Sequence, residues 1–298
     1  MSTVDINTPF FTIVIPTYNR GHMIEETIKS VLRSRFKDYE IIIVDDGSTD
    51  NTKFVVKKYL NSFCSYYRKE NEERAAARNY GVKIARGKYV NFLDSDDIIY
   101  ENHLQSAYDF IVKNNEPEWF HLAYDYKTPS GKIISKNTLN EGAYNKLYYD
   151  NILSCCGTLV RLDIAKKYPF NEKRVLSSSE DWELWLRLNV NFKLQFSNTI
   201  TNAVIAHDQR SLFTIESEKL IPRDLYLIEC VENNQKLKER YGIGIRRFKA
   251  DRYSFFMLKL AEENKIKQVY KWAFQAIITY PPVLFSKRFL ASLKNTLV

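Results

Sequence analysis

Three short apolar runs, FTIVI (11–15), EIIIV (40–44) and YVNFL (89–93), each end in a polar cluster: PTYN, DDGS and DSDD. Continuous apolar runs of this length read as strands buried on both faces. Helical patterns separate them. In GHMIEETIKSVL, Ile24, Ile28, Val31 and Leu32 share one helical face. A second helix is expected from Thr52 to Leu60, then a strand at CSYYR, then a helix over RAAARNYGVKIARG closed by Gly87 in a left-handed cap. Strands alternating with helices build right-handed βαβ units. The expected fold class is α/β, a mostly parallel central sheet flanked by helices. Such sheets bind ligands beyond the carboxyl ends of their strands, so the three polar clusters are expected on one ligand-binding edge.

The DSDD cluster packs Asp94, Asp96 and Asp97 into four positions. Like charges this close disfavour each other's ionised form. A divalent cation is the economical neutraliser, because magnesium and manganese take carboxylate oxygens together with substrate phosphates. The alternative is an acidic turn capping a helix that begins near Ile98. Two other folds place acids after apolar strands or ligands on such an edge. A phospho-acceptor receiver domain would carry its acidic pair nearer the chain start. A dinucleotide-binding Rossmann domain would carry GxGxxG where this chain has PTYNRG.

The remaining composition narrows the function classes. The 298 residues are 45% hydrophobic and 27% charged, which suits a globular chain of one large domain with an appendage. No apolar run reaches the ~18 residues of a spanning helix, and no basic leader precedes FFTIVIP, so a cytoplasmic protein is expected. Cys64, Cys155, Cys156 and Cys230 show no CxxC spacing and are expected as free thiols. The net charge of +8 has no compact basic run with interleaved aromatics, so nucleic acid is not expected as a partner.

Four motifs then occur in order: IVIPTYNR, IIIVDDGSTDNT, ENEERAAARNYGVKIARGKYVNFLDSDD and SSSEDWELWLRL. Together they closely resemble the family 2 glycosyltransferases with the GT-A nucleotide-diphospho-sugar-binding fold, over residues 10–212. The resemblance implies a catalytic domain at 1–214 and a helical C-terminal appendage at 215–298. It also implies an inverting enzyme that uses a nucleotide sugar, with a UDP-sugar expected, in bacterial surface glycan assembly.

The resemblance implies roles residue by residue. Pro16 and Tyr18 would lie near the nucleobase, and Asp46 would accept a hydrogen bond from it, which an ionised carboxylate is suited to do. Asn71 and Arg78 match polar positions near the nucleotide, although Glu73 stands where many relatives have glycine. Asp94, Ser95 and Asp96 form the DxD signature. Asp96 would ligate Mn2+ or Mg2+, with His207 as a second candidate ligand and Arg210 as a phosphate clamp. In SSSEDWELWLRL, Trp182, Trp185 and Leu186 form a core face, and the serines cap the helix. Asp181 would be the catalytic base, supported by Glu180. Without the resemblance, both acids simply complement the helix dipole. Cys155, Cys156 and Gly157 could line an acceptor pocket or pack in the core. Tyr144, Tyr148 and Tyr149 are candidate sugar-stacking residues.

Two rival functions remain. A nucleotidyltransferase of related fold would want a Gly-rich basic loop near the first strand, which is absent. A non-catalytic glycan-binding or scaffold protein would not need Asp94, Asp96 and Asp181 intact. Partners expected for the enzyme are the UDP-sugar donor and a glycan or lipid-linked acceptor. An anionic membrane surface is a further candidate, because residues 266–298 carry basic and apolar side chains and no acid. The other reading of that tail is a helix face packed on the catalytic domain.

Overall fold

A computed structural model describes residues 8–207 and 215–297. The chain divides into two compact units. The first comprises residues 1–144, 152–174 and 192–207, and the second comprises 145–151, 175–191 and 208–298.

The first unit is built on β1 (Phe11–Thr17), β2 (Tyr39–Asp45), β3 (Cys64–Arg68) and β4 (Tyr89–Phe92), which pair in parallel in the order β3-β2-β1-β4. Both neighbours of β1 run parallel to it, because the chain steps outward through β2 and β3 before β4 returns to β1's other edge. That reversal opens a crevice at the carboxyl ends. Every residue of β1 and β2 is buried, as continuous apolar runs require. Helices α1 (Ile24–Leu32), α2 (Thr52–Lys57) and α3 (Glu73–Ile84) connect these strands. The sheet then turns mixed: β8 (Thr158–Arg161) is antiparallel to β4 and to β6 (Trp119–Lys127). Strand β9 (Gln195–Ile205) runs parallel to β6 and antiparallel to β5 (Ile98–Ile99), while β7 (Ile133–Asn137) forms a hairpin arm on β6. Helices α4 (His103–Lys113) and α6 (Leu162–Lys167) belong to this unit, and α5 (Ala143–Lys146) leads out of it.

Two local expectations are corrected. Gly87 does not adopt the left-handed conformation; α3 ends at Ile84 and Ala85 is extended. Glycine is needed there for space, since a Cβ would sit 2.5 Å from the Thr12 nitrogen. No helix begins at Ile98 either, because β5 occupies that position and the helix starts at His103.

The second unit carries α7 (Glu180–Asn191), α8 (Ser217–Asn233), α9 (Gln235–Tyr241), α10 (Gly244–Glu262), α11 (Ile266–Thr279) and α12 (Lys287–Leu297). Trp182, Trp185 and Leu186 are buried, as the helical spacing predicts. Tyr148 is fully buried too, stacked 3.6 Å from the Tyr241 ring and 5.3 Å from that of Phe248. It is therefore a core residue and does not stack on a sugar. None of the four cysteines forms a disulfide. Cys155 and Cys156 are buried, with the Cys156 thiol donating to Asn202 Oδ1 at 3.0 Å.

The core of the first unit also contains two buried histidines. His103 Nδ1 lies 2.8 Å from Thr201 Oγ1, and His121 Nε2 accepts the Ser154 N–H at 3.2 Å. Burial pushes both imidazoles down to about 3 and keeps them neutral. Unfolded, each titrates near 6.5. The unfolded chain therefore binds more protons between pH 6.5 and 3, so this contribution is complete above about pH 6.5 and is lost as pH falls toward 3. Each proton is worth about 1.4 kcal/mol per pH unit. Urea unfolding across pH 7 to 4.5 should show stability falling steeply, with a shallower slope for His121→Gln. Stability flat across that range would contradict the buried, neutral pair.

Candidate active site

The carboxyl ends of β1, β2 and β4 enclose an open cleft of about 550 Å³, lined by Pro16, Thr17, Tyr18, Arg20, Asp46, Arg74, Asp94, Ser95 and Asp96. Tyr18 presents an exposed ring there.

The loops after β1 and β2 are laced together by backbone donors. Asn19, in a left-handed conformation, accepts the Thr49 N–H on its Oδ1 at 2.8 Å and donates its own N–H to Ser48 Oγ at 2.9 Å. The Gly21 N–H donates to Asp50 Oδ2 at 3.0 Å, and any side chain at Gly21 would collide with Asn51. The two aspartates of VDDGS divide their work. Asp45 accepts the Ser48 N–H and the Tyr66 hydroxyl, which fixes the turn. Asp46 faces the cleft, and its carboxylate accepts from Lys69 Nζ at 3.0 Å, the Glu72 N–H at 3.0 Å and the Glu73 N–H at 2.8 Å. A carboxylate offers about four acceptor positions, so capacity for one more donor remains.

Asn71 and Arg78 do not line the cleft. Asn71 donates its amide to the Asp46 carbonyl at 3.0 Å. Arg78 is buried, and its Nη2 donates to Asp94 Oδ1 at 2.6 Å while its guanidinium lies 5.1 Å from the Phe170 ring centre. Both act on the cleft through residues that line it. Thr17, Arg20 and Arg74 line the cleft without having been singled out from the sequence. Arg74 had a legible signal, since it precedes Arg78 by one helical turn.

The carboxylates of Asp94, Asp96 and Asp97 each offer an oxygen within 4.8 Å of the others. Asp97 is buried and accepts the Ile205 N–H at 3.0 Å, so it fastens the turn between β4 and β5 to β9, while the next helix starts only at His103. His207 Nε2 lies 2.9 Å from Asp96 Oδ2, and its buried Nδ1 has no hydrogen-bond partner among the described residues. Neighbouring ligands on an octahedral ion at about 2.1 Å stand about 3 Å apart, so Asp96 and His207 fit a hard divalent cation. Arg210 lies outside the described residues.

Glu180 and Asp181 belong to the second unit, at the start of α7. Glu180 is buried. Asp181 accepts the Trp182 N–H on Oδ1 at 2.7 Å and the Asn151 side-chain amide on Oδ2 at 3.1 Å. Both donors favour the ionised carboxylate.

The first unit thus has the topology and cleft of a nucleotide-binding α/β transferase, and similarity to known proteins defines it further. The family model described as Glycosyl transferase family 2 matches residues 12–162, just over half of the 298 residues, and the chain belongs to that family, with its GT-A fold. It is 33% identical over 192 residues to an uncharacterized glycosyltransferase of Rickettsia conorii, covering 61% of this chain and 30% of that protein. It therefore spans about a third of that relative's length. It is 34% identical over 183 residues to the Escherichia coli UDP-Glc:alpha-D-GlcNAc-diphosphoundecaprenol beta-1,3-glucosyltransferase WfgD, covering 59% of this chain and 68% of that one. The structure of Staphylococcus aureus TarS 1–349 in complex with UDP-GlcNAc shares the fold, with a TM-score of 0.68 and 21% identity over 96% of this chain and 89% of the other.

Glu73 has φ 77°, a region that favours glycine. Its N–H must point at Asp46, which forces the conformation. Arg174 holds the same loop, donating to the Asn71 carbonyl at 2.7 Å and pairing with Glu73 at 3.3 Å. Glu73→Gly should therefore be more stable than Glu73→Ala by about 1 kcal/mol in urea unfolding, because only glycine escapes the Cβ strain. Equal stabilities would show that the loop relaxes without cost.

Proposed function

We propose that the chain is an inverting, metal-dependent glycosyltransferase that moves a hexosyl or N-acetylhexosaminyl group from a UDP-sugar to a hydroxyl of a glycan or lipid-linked acceptor in bacterial surface glycan assembly. The observation that carries this reading is one cleft holding both Asp46, with spare acceptor capacity beside the exposed Tyr18 ring, and the Asp94–Asp96 pair. Uracil offers an N–H to Asp46 and a flat face to Tyr18. The UDP-Glc in the name of WfgD and the UDP-GlcNAc bound to TarS support the nucleotide.

Asp96 and His207 would hold Mn2+ or Mg2+, which supplies Lewis-acid neutralisation of the departing diphosphate when bound. Arg78 holds Asp94 in place through its 2.6 Å hydrogen bond. Arg20 and Arg74 bring positive charge to the same cleft for the phosphates. Asp181 takes the proton of the acceptor hydroxyl, whose oxygen bonds to the anomeric carbon as the bond to the diphosphate breaks. Attack on the face opposite the leaving group inverts that carbon. Titrating UDP into wild type and Asp96→Ala with and without manganese tests the donor site. Binding should weaken at least tenfold in the variant only when manganese is present; equal affinity in both proteins would overturn the metal assignment.

The proposed enzyme works in the cytoplasm at an anionic membrane surface. Among the described residues, no helix is long and apolar enough to cross a bilayer. Val269, Ala273, Ala276, Val283 and Phe289 are buried, yet Tyr270, Phe274 and Ile278 line an exposed stripe of α11, and Phe285 is 85% exposed. Lys267, Lys271 and Lys287 are exposed in the same region, and no acidic residue follows Glu263. Apolar side chains amid uncompensated positive charge suit the interface of anionic lipid, at about 1 kcal/mol per basic side chain. Full-length protein should sediment with phosphatidylglycerol vesicles but not with phosphatidylcholine vesicles, and Phe274→Glu/Phe285→Glu should abolish it. Failure of folded wild type to sediment would remove the membrane from the reading.

A further inference from the structure

The second unit holds a side chain that the sequence motifs do not mark. Asn151 ends the segment 145–151, which is anchored on both sides of its turn. The Trp182 indole N–H donates to the Leu147 carbonyl at 2.8 Å, and Tyr148 is stacked on Tyr241. From this fixed base the Asn151 amide donates to Asp181 Oδ2 at 3.1 Å. Among the described residues this is the only side-chain hydrogen bond of Asn151, and its Oδ1 is buried without a partner. An asparagine kept only for packing would satisfy its buried oxygen as well. Here the amide serves one carboxylate at the expense of its own acceptor.

We infer that Asn151 is a positioning residue for the catalytic base, holding one oxygen of Asp181 so that the carboxylate keeps a single orientation toward the acceptor hydroxyl. The inference rests on the reading of Asp181 as that base. Asn151 itself gains and loses no proton; the hydroxyl proton passes to Asp181, and the amide N–H remains a donor throughout. The Trp182 N–H fixes the other oxygen. The carboxylate is thus gripped from its own helix and from a separate segment, which removes rotation about its side-chain bonds. The charged groups on the elements packed here are Glu180 and Glu183 on α7, Asp150 beside Asn151, and Arg252 of α10. The Arg252 guanidinium lies 4.8 Å from the Trp182 ring centre. All four stay in place when only Asn151 is changed.

The test uses the full chain with aspartate labelled at the carboxyl carbon by 13C. The Asp181 resonance is assigned by its loss in Asp181→Asn, and its titration is followed in wild type, Asn151→Ala and Asn151→Asp. Losing a donor to the ionised form should raise the midpoint by about one pH unit in Asn151→Ala, and a neighbouring carboxylate should raise it further in Asn151→Asp. UDP-GlcNAc binding should not change, and UDP release from UDP-GlcNAc at neutral pH should fall about tenfold. An Asp181 midpoint in folded Asn151→Ala equal to wild type overturns the inference. Should that variant not fold, Asn151→Asp keeps the side-chain volume and decides by the same readout. An Asp181→Asn protein that still releases UDP at the wild-type rate overturns the reading of the base itself, a result distinct from an unmoved midpoint.

Discussion

The grip of the Asp46 carboxylate on the start of α3 is the contact on which the cleft depends. The Glu72 and Glu73 N–H groups stand at a helix N-terminus, where the helix itself offers them no acceptor, and an anion there answers both the donors and the helix dipole. The contact ties the carboxyl end of β2 to α3 and fixes that helix in rotation and in register. Arg74 then reaches the cleft, and Arg78, one turn later, lies buried beneath Asp94. The strain at Glu73 follows from the same contact, because its N–H can reach Asp46 only with positive φ.

The crowding of three aspartates after β4 is resolved by giving each a separate partner. Asp94 meets a buried guanidinium, Asp96 a histidine, and Asp97 a backbone N–H of β9. These partners come from three parts of the chain, so the DSDD turn is also a junction of the first unit. Arg78 illustrates why such a junction is sensitive. A buried charge stripped of its partner costs several kcal/mol, far more than an exposed pair contributes. Removing Asp94 would therefore take from the buried Arg78 a carboxylate at 2.6 Å and disturb more than donor contact.

Legibility in the sequence follows the range of the interactions. The parallel half of the sheet could be read because strands covered on both faces must be continuous apolar runs, as β1 and β2 are. The antiparallel half could not. Strands β6, β8 and β9 carry His121, Thr158, Thr201 and Asn202 into the core, where His121 meets Ser154, Thr201 meets His103 and Asn202 reaches the Ala123 carbonyl, each partner more than thirty residues away. Polar residues in that pattern mimic loop. Gly87 was given a role in turning the chain, yet the nearby β1 backbone is what requires it. Asp97 looked like a cap because its partner, Ile205, is 108 residues away. Tyr148 looked like a sugar platform because its stacking partner Tyr241 lies in another part of the chain.

The start of the helix bearing Glu180 and Asp181 is held by the core of the second unit. Trp182 follows Asp181 directly and is fixed by two other segments, 145–151 and α10. Its indole N–H reaches Leu147, its ring packs at 5.7 Å from Phe248, and Arg252 covers its face. Arg252 is itself buried, with burial lowering its pKa and Asp224 of α8 opposing that shift. A buried guanidinium needs a nearby carboxylate, and Asp224 provides one at 3.7 Å while also accepting from Arg223 at 2.8 Å. The start of α7 therefore inherits its rigidity from α8 and α10, which carry no recognisable motif. Any sequence that preserved the burial of Trp182 and the compensation of Arg252 would serve equally well. The demand on these helices is physical and not tied to particular residues, which explains how residues 215–297 can lack a signature and still house the acids at 180 and 181.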